Sequence, residues 1–268
     1  MIGMMTPTQL ISVDKSEIPP ICSIDMGNDG VFAFFTHRGT CCKDNPYSSF
    51  NICDYTGDSI EHVDSCRNLL CRHLGIAREK LIVPHQTHSS HCVIIDQIPV
   101  DYNKLNGADA VATKLRGVVI GISTADCIPI LLADPCNEII AAAHAGWRGA
   151  INGIIQSTIA TMVTLGSKPK DIIASMRPAI CSRCFEVGND VASRFPQSCV
   201  KNANLAKPHI DLAKYAANQL IASGVEANNI ARPPACTRCN SDKFFSARAL
   251  GINSGRIFSA IMLKNRDK

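Results

Sequence analysis

Apolar and polar positions divide the chain into short strands and a few amphipathic helices. The longest apolar region, 117–133, begins with Val118-Val119-Ile120-Gly121-Ile122. It breaks at Ser123-Thr124-Ala125-Asp126-Cys127 and resumes as Ile128-Pro129-Ile130-Leu131-Leu132. A hairpin-like turn, Asp134-Pro135-Cys136-Asn137, leads to a third apolar run, 139–143, which ends at His144-Ala145-Gly146-Trp147-Arg148-Gly149. Continuous runs of this kind predict strands buried on both faces. The polar groups at their breaks need a reason, because burying unpaired polar or charged groups is costly.

The rest of the chain fits around this stretch. Residues 31–35 predict a strand by their aromatic and β-branched content, and they run into Thr36-His37-Arg38-Gly39. Further strands are predicted at Leu81-Ile82-Val83, Cys92-Val93-Ile94-Ile95, 172–176 and 256–263, with three histidines (His85, His88 and His91) in a hairpin turn between the first two. Val63, Cys66, Leu70 and Leu74 recur at helical spacing over 60–74, and Gly75 is a stop signal. A single helix is predicted over 150–164, a short one within 185–195, and another from an Asp211 N-cap through Ser223. These elements predict an α+β fold, a single domain with mixed β-sheets flanked by helices, over 28–268, with 1–27 as an N-terminal lead-in.

Composition narrows the function classes. A net charge of +4 without a Lys/Arg run argues against a nucleic-acid partner but permits an anionic substrate. Asp126 and Pro129 interrupt the longest apolar region, so no membrane span is expected. The first residues show no basic start followed by an apolar core, so no export signal is expected either. The 14 cysteines are then expected to be thiols in a cytoplasmic protein.

Candidate chemistry sits at the strand ends. Cys127 and His144 with one further histidine form a two-His, one-Cys set that suits Zn²⁺ and leaves a position for water or substrate. His88, His85 and His91 compete for the third place, and a buried cysteine with two surface histidines is the bland alternative. Asp126, beside Cys127, reads as a general base, as a partner of a metal ligand, or as a turn residue. Arg38, Arg67, Arg148 and Arg248 lie beside apolar segments, where a guanidinium could clamp phosphate or carboxylate. Two Cys-x-x-Cys units, Cys181/Cys184 and Cys236/Cys239, offer a rival metal site, a structural four-cysteine zinc, although their separation exceeds the usual ribbon spacing. Trp147 could stack on a ring or fill the core.

Several motifs together resemble one family. They are Phe34-Phe35-Thr36-His37-Arg38-Gly39, Pro84-His85-Gln86-Thr87-His88, Gly107-Ala108-Asp109-Ala110, Thr124-Ala125-Asp126-Cys127-x-Pro129, His144-Ala145-Gly146-Trp147-Arg148-Gly149, and Phe244-Phe245-Ser246-x-Arg248. The chain resembles the YfiH family, the laccase-domain or polyphenol-oxidase-like purine nucleoside phosphorylases, from about residue 28 onward. The resemblance implies zinc held by His88, Cys127 and His144, with Cys127 and Asp126 at the reaction centre. It also implies phosphorolysis of adenosine, inosine, guanosine and methylthioadenosine, and adenosine deamination. It implies no metal role for the Cys-x-x-Cys units. The chain departs from the family pattern at His37, Thr40-Cys41-Cys42, Cys66 and Cys181-Ser182-Arg183. A copper-dependent phenol oxidase is the rival, disfavoured because the chain has only 8 histidines and no His-x-His pair. A non-catalytic, zinc-stabilised nucleoside-binding protein is a second rival.

Overall fold

The structure is a computed structural model that describes residues 18–40, 42, 45–201 and 206–266. In chain order the strands begin with β1 (Ile21–Ile24) and β2 (Val31–Thr36), followed by helix α1 (Ile60–Leu74). Then come β3 (Leu81–Ile82), β4 (Cys92–Ile95), β5 (Ala110–Thr113), β6 (Val119–Thr124), β7 (Ile128–Asp134) and β8 (Ile139–Ala145). Helices α2 (Trp147–Ile151) and α3 (Ile154–Thr164) precede β9 (Ile173–Met176) and α4 (Asn189–Ala192). The chain ends with β10 (Val200–Lys201), β11 (His209–Ile210), α5 (Leu212–Ala222), β12 (Ile230–Ala231), α6 (Ala247–Leu250) and β13 (Ile257–Leu263).

Two mixed sheets form the centre, in the orders β1-β2-β13-β6-β3 and β12-β9-β7-β8-β5-β4, with β10-β11 as a separate ribbon. The parallel pairs are β3 with β6, β4 with β5, and β9 with β12. Alternate residues of β7 and β8 serve two cores. Ile130, Leu132, Ala141 and Ala143 pack with Ile155, Ile159 and Leu220 of α3 and α5. Leu131, Ala133, Ile140 and Ala142 cluster instead with Ala33, Ile120, Ile122 and Ile261 of the other sheet. Phe34, Val119 and Phe258 on that sheet's far face meet Leu69 and Leu70 of α1. The fold is therefore a single α+β unit layered helix, sheet, sheet, helix. Both faces of the central strands are covered, which accounts for their unbroken apolar runs.

The polar breaks now have a structural reason. Between β6 and β7, Ala125-Asp126-Cys127 carries the chain from one sheet to the other. The three-histidine segment does the same, because β3 and β4 lie in different sheets; it is a crossover and not a hairpin turn. The helix expected over 150–164 is two, because Gly153 adopts φ 95° and interrupts it. In 185–195 only Asn189–Ala192 is helical, since Glu186 bridges to His209. β1 falls inside the expected lead-in and pairs with β2, whereas residues 1–17 lie outside the described residues. Among the described residues no helix is long and apolar enough to cross a membrane.

α1 matches its expected bounds. Ser59 caps it by accepting the His62 N–H, and Gly75 ends it. His62 itself is a tether: Nδ1 lies 2.7 Å from Asp58 and Nε2 3.0 Å from the Ser49 carbonyl. The bond to Asp58, helped by Cys66, raises the imidazole to about 10. The unfolded value is about 6.5. A pKa raised on folding gives stabilisation that is complete below about pH 6.5 and is lost as the pH climbs through 10. His62→Ala is expected to lose about 1.5–3 kcal/mol at pH 6. In denaturant titrations its deficit relative to the unsubstituted protein should shrink towards pH 10.

Candidate functional site

Asp109, the residue just before β5, is completely buried. Its carboxylate accepts the backbone N–H groups of Thr87, His88 and Ser89 at 2.7–3.0 Å and the His144 Nδ1–H at 2.6 Å. One acid therefore fixes the crossover carrying His88 and the imidazole at the end of β8. Burial alone would raise the Asp109 pKa, but the bonds from His144, Thr87 and Ser89 bring it below the usual carboxylate value. Because Nδ1 donates to Asp109, His144 presents its other ring nitrogen to the site.

Cys127 enters from the β6–β7 crossover, with its Sγ 3.8 Å from His88 Nε2. The ligand atoms of His88, Cys127 and His144 all lie within 4.8 Å of one another, so the three together could hold a metal ion. Burial opposes ionisation of Cys127, yet His144 and His88 lower its thiol to about 6. Burial likewise opposes charge on His144, but Cys127 and Asp109 raise it to about 9. A thiolate between two imidazoles is the donor set of a zinc or copper site. The close approach also explains Gly146, where a Cβ would sit 2.6 Å from His88 Cδ2 and 3.0 Å from Cys127 Sγ.

The structure brings together the candidate set from the sequence only in part. His88, Cys127, His144, Asp126 and Arg248 line one cavity of about 280 Å³. Asp126 sits at φ 84° with its carboxylate engaged by Thr237 Oγ1–H, Ser246 Oγ–H and the Arg248 N–H, all at 2.6–2.7 Å. Backbone strain of this kind persists where the surroundings over-determine it. Arg38 is buried and donates to the carbonyls of Ser48 and Ser241. Arg67 pairs with Asp54 and lines a neighbouring cavity of about 620 Å³, which also holds His85. Arg148 is exposed and stacks on Trp147, 4.4 Å from its ring centre. His91 is exposed and borders a separate cavity.

Comparison with known proteins follows the same outline. A family model described as multi-copper polyphenol oxidoreductase laccase matches residues 32–264. Adenosine deaminase RL5, from an unknown prokaryotic organism, is 42% identical over 88% of this chain and 95% of its own length. A purine nucleoside phosphorylase of Bacteroides thetaiotaomicron is 36% identical over 86% and 90%. The crystal structure of the hypothetical protein YfiH from Bacillus licheniformis superposes with a TM-score of 0.84 at 26% identity, covering 92% of this chain and 97% of that one. The chain belongs to the YfiH-type laccase-domain family.

Sequence reasoning left several residues of this YfiH-type site without a role. Asp109 carries the same signal that singled out Cys127, a polar residue directly ahead of an apolar strand. Gln86 bonds both the N–H and the carbonyl of Ser123, and Tyr55 bonds Gln86. Tyr55, Phe185 and Arg256 reach the cavity from loops distant in sequence, which no local pattern reveals. Replacing Asp109 with Asn keeps the shape but disturbs both halves of its grip. Affinity for a metal ion at the triad, by chelator competition, should fall about 10–100-fold, as for other groups that orient a metal-binding histidine. The Asp109→Asn protein should also melt below the unsubstituted one when both are metal-free.

Proposed function

We propose that this YfiH-type protein is a cytoplasmic, zinc-dependent purine nucleoside phosphorylase that also deaminates adenosine. The observation carrying this reading is one cavity in which a triad that could hold a metal ion meets aromatic rings, an arginine and unpartnered hydroxyls. Support comes from relatives named purine nucleoside phosphorylase and adenosine deaminase across most of the chain. Adenosine, inosine, guanosine and methylthioadenosine, with phosphate as co-substrate, are the substrates put forward.

The cavity residues divide by chemistry. Tyr55 and Phe185 offer rings for a purine. The hydroxyls of Ser123 and Thr124 are buried without a partner and suit a polyhydroxylated sugar. Arg248 brings a guanidinium group to the same space for a phosphate, whereas the Arg256 guanidinium holds the carbonyls of Ile252, Ser254 and Gly255. In phosphorolysis a phosphate oxygen forms a bond to the anomeric carbon as the carbon–nitrogen bond to the base breaks. Arg248 holds that phosphate and offsets its charge during attack. In deamination a water oxygen replaces the ring amine, which leaves as ammonia. A zinc ion held by His88, Cys127 and His144 would supply Lewis-acid polarisation to either reaction.

Asp126 is proposed as a positioning residue at this centre, not as a free base. Three donors occupy its carboxylate, and it fixes the backbone of Arg248 at the cavity. Copper oxidation is disfavoured by ligand supply. His62 is bound to Asp58, His209 to the Ser182 carbonyl, and His85 packs on Tyr55, so these histidines are committed away from the triad.

Zinc-loaded protein incubated with adenosine should release adenine and ribose 1-phosphate only when phosphate is present, and inosine with or without it. Cys127→Ser should abolish both. Phenol oxidation requiring copper, with no nucleoside turnover, would overturn the proposal. Arg248→Ala should raise KM for phosphate roughly 10-fold or more, the effect of losing a charge-assisted bond, with a smaller effect on KM for the nucleoside.

A further inference from the structure

The two Cys-x-x-Cys units, 52 positions apart between Cys184 and Cys236, meet in space. The sulfurs of Cys181, Cys184, Cys236 and Cys239 all lie within 4.8 Å of one another, with Cys184 and Cys239 at 3.4 Å. Four thiolates around a zinc ion at about 2.3 Å place neighbouring sulfurs roughly 3.8 Å apart, the edge of a tetrahedron. The observed range brackets that edge. Both units read Cys-Ser/Thr-Arg-Cys, and each forms a turn. The Cys181 N–H donates to Cys236 Sγ at 3.3 Å across the cluster, and the Cys184 N–H donates to the Cys181 carbonyl within its own turn. The N–H···S bond to Cys236 stabilises a thiolate there. Cys184 is buried, Cys181 and Cys236 are half-buried, and Cys239 is exposed beside a surface cavity that gives an ion access.

We propose that these four cysteines bind a second metal ion, a structural Zn²⁺ with four thiolate ligands and no open position. Soft thiolates in a closed tetrahedral set favour zinc over oxygen-seeking cations. The site leaves no ligand position for substrate, so its role is to join chain segments. It ties the segment after β9 to the segment before α6, which otherwise meet through an isolated bridge between Ala179 and Cys236. The first segment lines the cavity through Ile180 and Phe185, and the second reaches its wall through Asp126. Ile180 donates its N–H to the Asp126 carbonyl, and Thr237 donates its hydroxyl to the Asp126 carboxylate. The Arg248 guanidinium donates to the Glu186 carbonyl, two residues beyond Cys184. The second ion thereby staples the part of the wall that holds Asp126, the residue before Cys127. This takes up the four-cysteine zinc that the sequence offered as a rival site.

The proposal concerns metal binding only and is tested apart from nucleoside chemistry. Protein made in zinc-supplemented medium and purified under reducing, anaerobic conditions should carry two zinc ions per chain by elemental analysis. Cys127→Ser should retain one, and its zinc-edge X-ray absorption should show a shell of four sulfurs with no nitrogen. The Cys184→Ser/Cys239→Ser double variant should also retain one, now with mixed nitrogen and sulfur neighbours and a lower melting temperature. A metal-free Cys127→Ser protein, or nitrogen ligands around its zinc, would overturn the proposal. So would disulfides among the four cysteines in the anaerobic protein. Should the double variant fail to fold, the absorption spectrum of Cys127→Ser decides alone.

Discussion

A single buried carboxylate organises the site. Asp109 accepts three backbone N–H groups from the 87–89 crossover and the Nδ1–H of His144. A buried acid is tolerated only when its lone pairs are satisfied, and here the donors come from two separate chain segments. The same bonds therefore offset the cost of burying the charge, hold His88 at its left-handed φ of 62°, and set the tautomer of His144. Remove any one of these and the other two lose their reason.

The site lies where the two sheets exchange chain. β6 hands over to β7, and β3 to β4, across the seam between the sheets. Strands β6, β7 and β8, covered on both faces, are apolar through their middles and carry Ser123, Thr124, Asp134 and His144 towards their ends. The crossovers are the places where backbone and side chain can turn to a cavity, and Asp126, Cys127 and His88 all occur there. Asp126 performs for the second crossover what Asp109 does for the first. Its carboxylate gathers Thr237, Ser246 and the Arg248 N–H, three positions more than a hundred residues downstream. Ile180 and Thr237, each next to a cysteine of the four-sulfur cluster, join that gathering by bonding Asp126.

This arrangement explains what the sequence discloses. Strands β6, β7 and β8 and helix α1 are legible because apolar periodicity and caps are local signals. Cys127 and His144 are legible because they break those runs. The arginines are not, because a guanidinium beside a strand serves equally well to hold loop carbonyls, as Arg38 does, or to stack on an aromatic ring, as Arg148 does. Arg256 and Tyr55 reach the cavity only through tertiary contacts that no spacing encodes. The cysteine units mislead in the opposite direction. Their separation argues against a shared ion, yet β9 pairing with β7 and α6 docking on Asp126 carry the two turns to one place.

The central claim is that Asp109 assembles His88, Cys127 and His144 into a metal centre at the cavity. An anomalous difference map at the zinc edge, from crystals of the zinc-replete protein, tests it most directly. The account predicts a peak bonded to Cys127 Sγ, His88 Nε2 and His144 Nε2, with Asp109 still bound to His144 Nδ1. No anomalous density between these three residues in zinc-replete crystals would contradict it.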